Sequence, residues 1–437
     1  MQSEAPPPES QVQQSNIGTV KAAREVLGGK TNKGFFRRLL PFLGPAFIAS
    51  VAYVDPGNVA TNIEGGAQFG YLLIWVLVAS NLMAMLIQSL SAKLGIASGL
   101  NLAELCRERF PQPVVWGMWV IAEIAAIATD LAEFLGAALG FQLLFHIPLL
   151  WGGILTALVT WMILGLQRYG FRPLEATISA LVGVIAICYL IETALVHPDW
   201  GGIVYHSVVP QFRGPESILL ASGMLGATVM PHVIYLHSAL TQGRIVTRDP
   251  HLLRRLFRFE VIDVLLAMGL AGLINIAMLV VAAATFYRAG LSHVASIEVA
   301  YQTLAPLLGP ASSWVFGLAL LASGVSSSAI GTLSGQIVMQ GFLRRQVPLW
   351  TRRLVTMLPA LLVIFLGWDP TRTLVISQVV LSFALPFALV PLVLFTMRKQ
   401  IMGVLVNRPL TTAAAIAVTG LIICLNIFLL SQTFFGG

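Results

Sequence analysis

The chain has 437 residues, of which 57% are apolar and only 10% charged, and its mean hydropathy is +0.83. A water-soluble chain of this length carries far more charge, so the composition excludes an ordinary soluble enzyme and describes a polytopic membrane protein. The net charge of +7 suits a nucleic-acid partner only if the basic residues gather on one surface, and they do not.

They lie in short clusters between eleven apolar runs, at roughly 40–66, 70–95, 114–141, 148–167, 174–197, 216–240, 259–287, 311–341, 352–367, 372–397 and 410–433. With the N-terminus in the cytoplasm, the tail and the alternate loops hold 23 of the 26 Lys and Arg residues, and only Arg213, Arg288 and Arg372 fall outside. The positive-inside rule therefore predicts a multi-pass protein of the cell (inner) membrane, with the N-terminus in and the C-terminus out. Ahead of the first run, residues 1–38 hold three consecutive prolines, Pro6 to Pro8, and no apolar stretch. They read as a disordered cytoplasmic tail. Cys106, Cys188 and Cys424 are far apart, lack metal-ligand spacing and read as packing residues.

The first span contains Asp55-Pro56-Gly57-Asn58 in mid-run. Proline removes an N–H and glycine loosens the backbone, so the helix is predicted to break there. The break sets a carboxylate and an amide beside freed carbonyls, Ala52 most usefully. Polar backbone at membrane depth survives only inside protein or against a wet cavity. Oxygen donors around one negative charge suit a cation; a proline kink with a hydrogen-bonded Asp is the plainer alternative. In the second span, Asn81 and Gln88 read as interhelical hydrogen-bonding groups. Asn101 ahead of Glu104 reads as the cap of a short cytoplasmic helix.

The third span holds Glu123, Asp130 and Glu133. Seven residues separate the first two, which places them two turns apart on one face, with Glu133 one turn further. Carboxylates inside a span are costly unless paired, protonated or wetted, so they are functional candidates. A structural ion pair with an inner arginine is the alternative. Spans four and five say less; Glu192 and His197 read as interfacial.

Span six carries Ala227-Thr228-Val229-Met230-Pro231-His232, a second mid-span proline. Ala227 stands to Met230 as Ala52 stands to Asp55. Met230 alone would read as packing. Two interrupted spans five helices apart, however, are corresponding members of two five-helix halves. The odd number of crossings inverts one half, and paired breaks in an inverted repeat point to a midplane site. Span eight contains Ser326-Ser327-Ser328, then Gly331 and Gly335, a G-x-x-x-G pair that reads as close helix packing. Arg344, Arg345, Arg352 and Arg353 follow at the cytoplasmic boundary. Gln378 lies early in span ten, where Pro386 and Pro391 read as kinks, and span eleven looks peripheral.

Asp55-Pro56-Gly57-Asn58, the run Met230-Pro231-His232 with Leu236-His237-Ser238 after it, and the segment from Ser326 to Phe342 together resemble the Nramp family. Its members are proton-coupled transporters of divalent transition metals, and the bacterial ones import manganese and iron. The resemblance covers the whole chain after the tail. It implies an all-α LeuT-like fold, with a core over 39–400 in two inverted repeats (about 39–198 and 215–400) and a peripheral eleventh helix over 409–434. It also implies that Asp55, Asn58 and Met230 are metal ligands, joined by the Ala52 and Ala227 carbonyls and by Gln378. His232, Asp130, Glu133 and Glu123 match positions that the family associates with proton movement.

The chemistry of these groups agrees with that implication. Oxygen donors plus one thioether make a mixed hard and soft site, where Mg²⁺ and Ca²⁺ gain little from sulfur and Mn²⁺, Fe²⁺, Co²⁺ and Cd²⁺ tolerate or welcome it. A divalent ion against a lone Asp55 leaves net positive charge at the midplane, which a departing proton would offset. Asp130 is expected to hold that proton, His232 to relay it, and Glu123 with Arg352 and Arg353 to offer an exit. His237 reads as structural. The half-helix before Asp55 is expected to swing open to the cytoplasm, with Ala46 and Ala49 letting it slide and a bulky replacement blocking it. The expected partners are divalent metal ions, protons and the bilayer, with no nucleic acid, no resident cofactor and a monomer as the working unit. No catalytic pattern such as H-E-x-x-H occurs, so no enzyme is expected. A cation channel without proton coupling and a sodium-coupled organic-solute transporter of the same fold are the alternatives.

Overall fold

The computed structural model describes residues 17–28, 34, 38–166, 171–247, 249–291, 296–345 and 347–435. Every regular element among them is helical. In chain order these are α1 (Ile17–Leu27), α2 (Pro45–Val51) with a tight turn over Ala52–Val54, α3 (Pro56–Phe69), α4 (Ile74–Ser98) and α5 (Leu102–Arg109). Then come α6 (Gln112–Phe145), α7 (Leu149–Gly165), α8 (Phe171–Val196), α9 (Trp200–Val208), α10 (Gly214–Thr228) and α11 (Pro231–Thr241). The chain continues through α12 (Pro250–Ala282) with a π-helical turn over Ala283–Tyr287, α13 (Ile297–Leu308), α14 (Pro310–Leu343), α15 (Leu349–Phe365), α16 (Pro370–Thr396), α17 (Lys399–Met402) and α18 (Pro409–Phe435).

Among the described residues, eight helical segments are long and apolar enough to cross a membrane, and the shorter apolar helices Pro45–Val54 and Leu149–Gly165 accompany them. The molecule is an all-α membrane protein of the LeuT type. The first five spans (α2/α3 to α8) and the next five (α10/α11 to α16) form the two inverted halves, and α18 follows. Both predicted breaks are present. Asp55 is extended (φ −81°, ψ 168°) between α2 and α3, and Met230 is extended (φ −87°, ψ 125°) between α10 and α11. The cause is the same at both places. Proline drives the residue before it out of the helical region and then starts a new helix at its first position.

The centre of the molecule is set by small residues. On α6 and α14, the third and eighth spans, a Cβ added to Gly324 would lie 2.8 Å from the Ala137 Cα, and one on Gly140 would lie 2.8 Å from the Leu321 Cα. The two helices therefore touch backbone to backbone. In the most apolar stretch of α14, 83% of the residues are buried, against 22% in α18, which is peripheral. The Asn101–Glu104 capping box opens α5 as expected. Pro386 and Pro391 lie inside an unbroken α16.

One expectation needs correcting. Part of the tail read as disordered, 17–27, is the helix α1. Ala23, Val26 and Leu27 share one face at i, i+3 and i+4, and they bury against Phe42 and Leu256. Arg255 Nη1 donates to the Leu27 carbonyl at 2.8 Å, which caps the helix end. The prolines at 6–8 lie outside the described residues.

Candidate metal site

Each break frees a carbonyl by the same rule. Pro56 has no N–H for the Ala52 carbonyl four residues earlier, and Pro231 has none for Ala227. Asp55 caps the new helix: its Oδ2 accepts from the Gly57 N–H at 3.1 Å and its Oδ1 from the Asn58 N–H at 3.0 Å. The Asn58 side chain joins the two breaks. Its Nδ2 donates to Asp55 Oδ1 at 2.6 Å and to the Ala227 carbonyl at 2.9 Å. Gln378 comes in from α16, against Gly57, where any Cβ would overlap its amide. Gly57, in the first turn of α3, is thus needed for close approach.

Ala52, Asp55, Asn58, Ala227, Met230 and Gln378 are all 0% exposed. Asn58 Oδ1 and Gln378 Oε1 are buried without a hydrogen-bond partner among the described residues. Such atoms are costly unless something positive meets them. The Asn58 amide N–H groups sit where a cation would compete for Asp55 Oδ1 and the Ala227 oxygen. Turning that amide over would present Oδ1 in their place. No three of His, Cys, Asp or Glu gather into a cation-binding group among the described residues. A cation at the breaks would therefore rest on one carboxylate, neutral oxygens and the Met230 sulfur.

The other carbonyls freed at the first break are already satisfied, by residues that the sequence did not single out. Asn275 Nδ2 on α12 donates to the Tyr53 carbonyl at 2.7 Å, and Ser323 Oγ on α14 donates to the Val54 carbonyl at 2.6 Å. Asn62 Nδ2 in turn donates to Asn275 Oδ1 at 2.9 Å. A buried Asn in an apolar span was the only available signal for Asn275.

The carboxylates of α6 lie beside this site. Gly136, one turn past Glu133, packs against the Pro56 ring, where a Cβ would collide with it. A Cβ on Gly331 would overlap Glu133 Oε2 and lie 2.7 Å from Asp130 Oδ1, and one on Gly335 would meet the Arg352 guanidinium. The G-x-x-x-G pair read as helix packing thus makes room for charged side chains. The buried Asp130 and Glu133 carboxyls face each other, and Asp130 also faces the Thr356 side chain. Glu123 differs, because its Oε1 accepts from Arg352 Nη2 at 2.9 Å. Arg353 donates to the Ser328 carbonyl at 3.2 Å, to Thr332 Oγ1 at 3.0 Å and to Ser328 Oγ. His232 is tied to α6 by a 3.1 Å contact between Nδ1 and Thr129 Oγ1, which leaves Nε2 without a partner among the described residues. Thr129, next to Asp130 in sequence, was missed because a buried Thr normally bonds its own helix.

His237 is less isolated than its reading as structural suggested. Gln88 Nε2 donates to the Tyr53 hydroxyl at 2.6 Å, Gln88 Oε1 meets His237 Nδ1 at 2.9 Å, and His237 Nε2 meets Glu260 Oε1 at 3.3 Å. The chain of contacts runs from Tyr53, just ahead of the first break, through α4 and α11 to α12.

Two paired helix breaks in inverted halves, enclosing a buried polar site, define a LeuT-fold membrane protein. The fold is shared with Mhp1, a nucleobase-cation-symport-1 family transporter, at a TM-score of 0.54 and 14% identity over 90% of this chain and 94% of that one. A closer match is the Eremococcus coleocola manganese transporter in complex with an aromatic bis-isothiourea substituted compound. It has a TM-score of 0.84 and 33% identity, covering 92% of this chain and 89% of that one. The divalent metal cation transporter MntH of Deinococcus radiodurans is 57% identical over 408 residues, 93% of each chain. The profile of the natural resistance-associated macrophage protein-like family, Nramp, matches residues 46–432. The chain belongs to the Nramp family.

Proposed function

We propose that the protein imports divalent transition-metal ions, Mn²⁺ and Fe²⁺ with Cd²⁺ and Co²⁺ as further cargo, by alternating access coupled to protons. The observation that carries this reading is the bridge at the two breaks. Asn58 spans from Asp55 to the Ala227 carbonyl, and the Asn58 and Gln378 amide oxygens beside it are buried without a partner among the described residues. Asp55, Asn58, Met230, Gln378 and the Ala52 and Ala227 carbonyls are the ligands in this reading. The metal is cargo rather than a resident cofactor, and no residue is assigned a catalytic role. The protein works as a monomer in the inner membrane, N-terminus in and C-terminus out, with lipid and ions as its partners. The names of the relatives, a divalent metal cation transporter and a manganese transporter, support the choice of cargo.

A carrier is favoured over a channel because all six ligand groups are inaccessible to solvent. The cargo can then leave only if one side opens. An organic-solute site is disfavoured because an anionic side chain and a thioether stand at the breaks, where a substrate carboxylate would meet open helix N-termini. Protons enter the reading through charge. A divalent ion beside the single carboxylate Asp55 leaves about one positive charge at the midplane, which is expensive in a low-dielectric site. Loss of a proton from Asp130, relayed by His232, offsets it. Glu133 extends that route, and the Glu123–Arg352 pair with Arg353 leads it inward.

The test is uptake into proteoliposomes carrying an internal pH dye, with Mn²⁺, Fe²⁺, Cd²⁺, Co²⁺, Ca²⁺ and Mg²⁺ presented separately. The expected outcome is saturable uptake of the transition ions with internal acidification, and at least about a hundredfold loss in Asp55→Ala, comparable to removing a charged partner at a buried site. Near-normal Mn²⁺ uptake by Asp55→Ala would overturn the site.

A further inference from the structure

Arg213, Arg288 and Arg372 are the three basic residues that the inside-positive count leaves on the outer face. Two of them, Arg213 and Arg288, line one cleft of about 340 Å³, together with Tyr71, Asp199, His206 and Tyr287. Among the described residues no carboxylate lies within ion-pair distance of either guanidinium. The Asp199 carboxylate is engaged in capping α9, where Oδ1 accepts from the Gly201 N–H at 3.1 Å. Arg288 spends one Nη1 donor on the His197 carbonyl at 3.3 Å, and a guanidinium has four more. His206 Nδ1 is buried with no hydrogen-bond partner among the described residues. Two guanidiniums against one carboxylate make this a cleft for an anion.

The helix that walls the cleft indicates which anion. Trp200, Val204 and Val208, at i, i+4 and i+8 of α9, are 65%, 66% and 74% exposed, while Ile203 is buried. At 100° per residue His206 falls on the opposite side of that helix from this stripe. A short helix with an apolar stripe on one side and polar groups on the other lies along a bilayer interface, with Trp and Tyr at headgroup depth. Acyl chains would meet the stripe while the cleft stands at the depth of the phosphates. The floor is firm: Tyr71 OH accepts from the Asp199 N–H at 3.3 Å, and Trp75 Nε1 donates to the Gln211 carbonyl at 3.1 Å.

We propose that this cleft binds the phosphate of an anionic phospholipid through Arg213 and Arg288, at the headgroup depth that the Trp200–Val204–Val208 stripe of α9 sets. Guanidinium forks match phosphate oxygens. The excess of one positive charge selects a net-negative headgroup over a zwitterionic one. The cleft also joins the outer end of α3 to the π-helical turn after α12, so the lipid would tie the outer half of the first broken span to the seventh.

The placement on the outer leaflet rests on the orientation proposed above. The test uses no transport, so its failure and the failure of the carrier reading are separable. Detergent-solubilised full-length protein is titrated with phosphatidylglycerol, with phosphatidylcholine of the same chain length, and with inorganic phosphate, and bound species are counted by native mass spectrometry. The expected result is phosphatidylglycerol bound about tenfold or more tightly than phosphatidylcholine, from two basic residues acting on one anionic headgroup. Arg213→Gln/Arg288→Gln should abolish that preference, and Arg372→Gln, outside the cleft, should keep it. Should the double variant not fold, each single variant should lose at least about threefold of the preference, half the effect on a logarithmic scale. Inorganic phosphate that competes as well as the lipid would overturn the lipid assignment in favour of a free anion. Equal binding of the two lipids, or a preference retained by folded variants, would overturn the site.

Discussion

At the scale of single residues, the proposed site leaves polar atoms incomplete. Asp55 is held by its own helix start, so its carboxylate is aimed before any cation arrives. Asn58 closes the gap between the two breaks, and the 0% exposure of Met230 puts its sulfur out of reach of solvent. Sulfur adds affinity for soft ions and little for hard ones. Met230→Ala is therefore expected to weaken Cd²⁺ binding by at least about tenfold, some 1.4 kcal/mol, while Mn²⁺ transport persists and Ca²⁺ or Mg²⁺ gains entry. Calorimetry with Cd²⁺ and uptake with Ca²⁺ check this, and unchanged Cd²⁺ affinity would reduce Met230 to packing. Gly331 and Gly335 show the complementary strategy, where a missing side chain makes room for Asp130, Glu133 and Arg352.

At the scale of elements, α2 is the piece whose movement the proposed transport cycle requires. It is only seven residues long, and the buried N–H groups of Gly44 and Ala46 at its start, which have no partner within the helix, are held by the Asp263 carboxylate of α12, at 2.9 Å for Ala46. Arg244 Nη2 donates to the Leu43 carbonyl at 3.3 Å just before it. Phe42 stacks on Phe259 with ring centroids 4.3 Å apart, in the cluster that α1 covers. The expectation that a bulky residue at Ala46 or Ala49 blocks the swing needs revision. Both positions are 0% exposed with α2 docked, so added volume must push α2 away. Overpacking of this kind costs about 1–3 kcal/mol, and here the docked state bears the cost. Ala49→Phe is expected to favour the inward-open state by about fivefold or more, read as faster labelling of a cysteine in the inner vestibule. Slower labelling would restore the original reading.

At the scale of the whole molecule, each half contributes one helix to each of two tasks. In the proposed reading the broken spans α2/α3 and α10/α11, with Gln378 of α16, carry the metal ligands, while α6 and α14, locked backbone to backbone, carry the carboxylates and the space for them. Apart from the relay His232 on α11, the proposed metal route and proton route are thus built on different helices, and these meet where Gly136 packs against Pro56. Asp130→Asn keeps shape and removes the titrating group. It is expected to transport Mn²⁺ several-fold more slowly, with internal acidification reduced by about tenfold or more, the scale of a lost proton-transfer group. Metal binding, measured by calorimetry, should survive. If it does not, Asp130 belongs to the metal site and the routes are not separable.

Much of this was legible in the chain itself, for local reasons. Hydropathy counts spans because bilayer thickness sets their length, and proline breaks a helix wherever it falls. The positions of Asp55, Met230 and both breaks therefore followed from sequence, as did the pairing of Ala52 with Ala227. What lay beyond the sequence depends on which distant residue arrives at a given atom. Asn275 and Ser323 on the Tyr53 and Val54 carbonyls, Thr129 on His232, and Gln88 between Tyr53 and His237 are contacts across 35 to 269 residues of chain. The α1 helix escaped notice because its short apolar face is weak until Phe42 and Leu256 cover it. Gly331 and Gly335 read as packing because a glycine shows only that space is needed. Tertiary structure alone decided that charged side chains fill it.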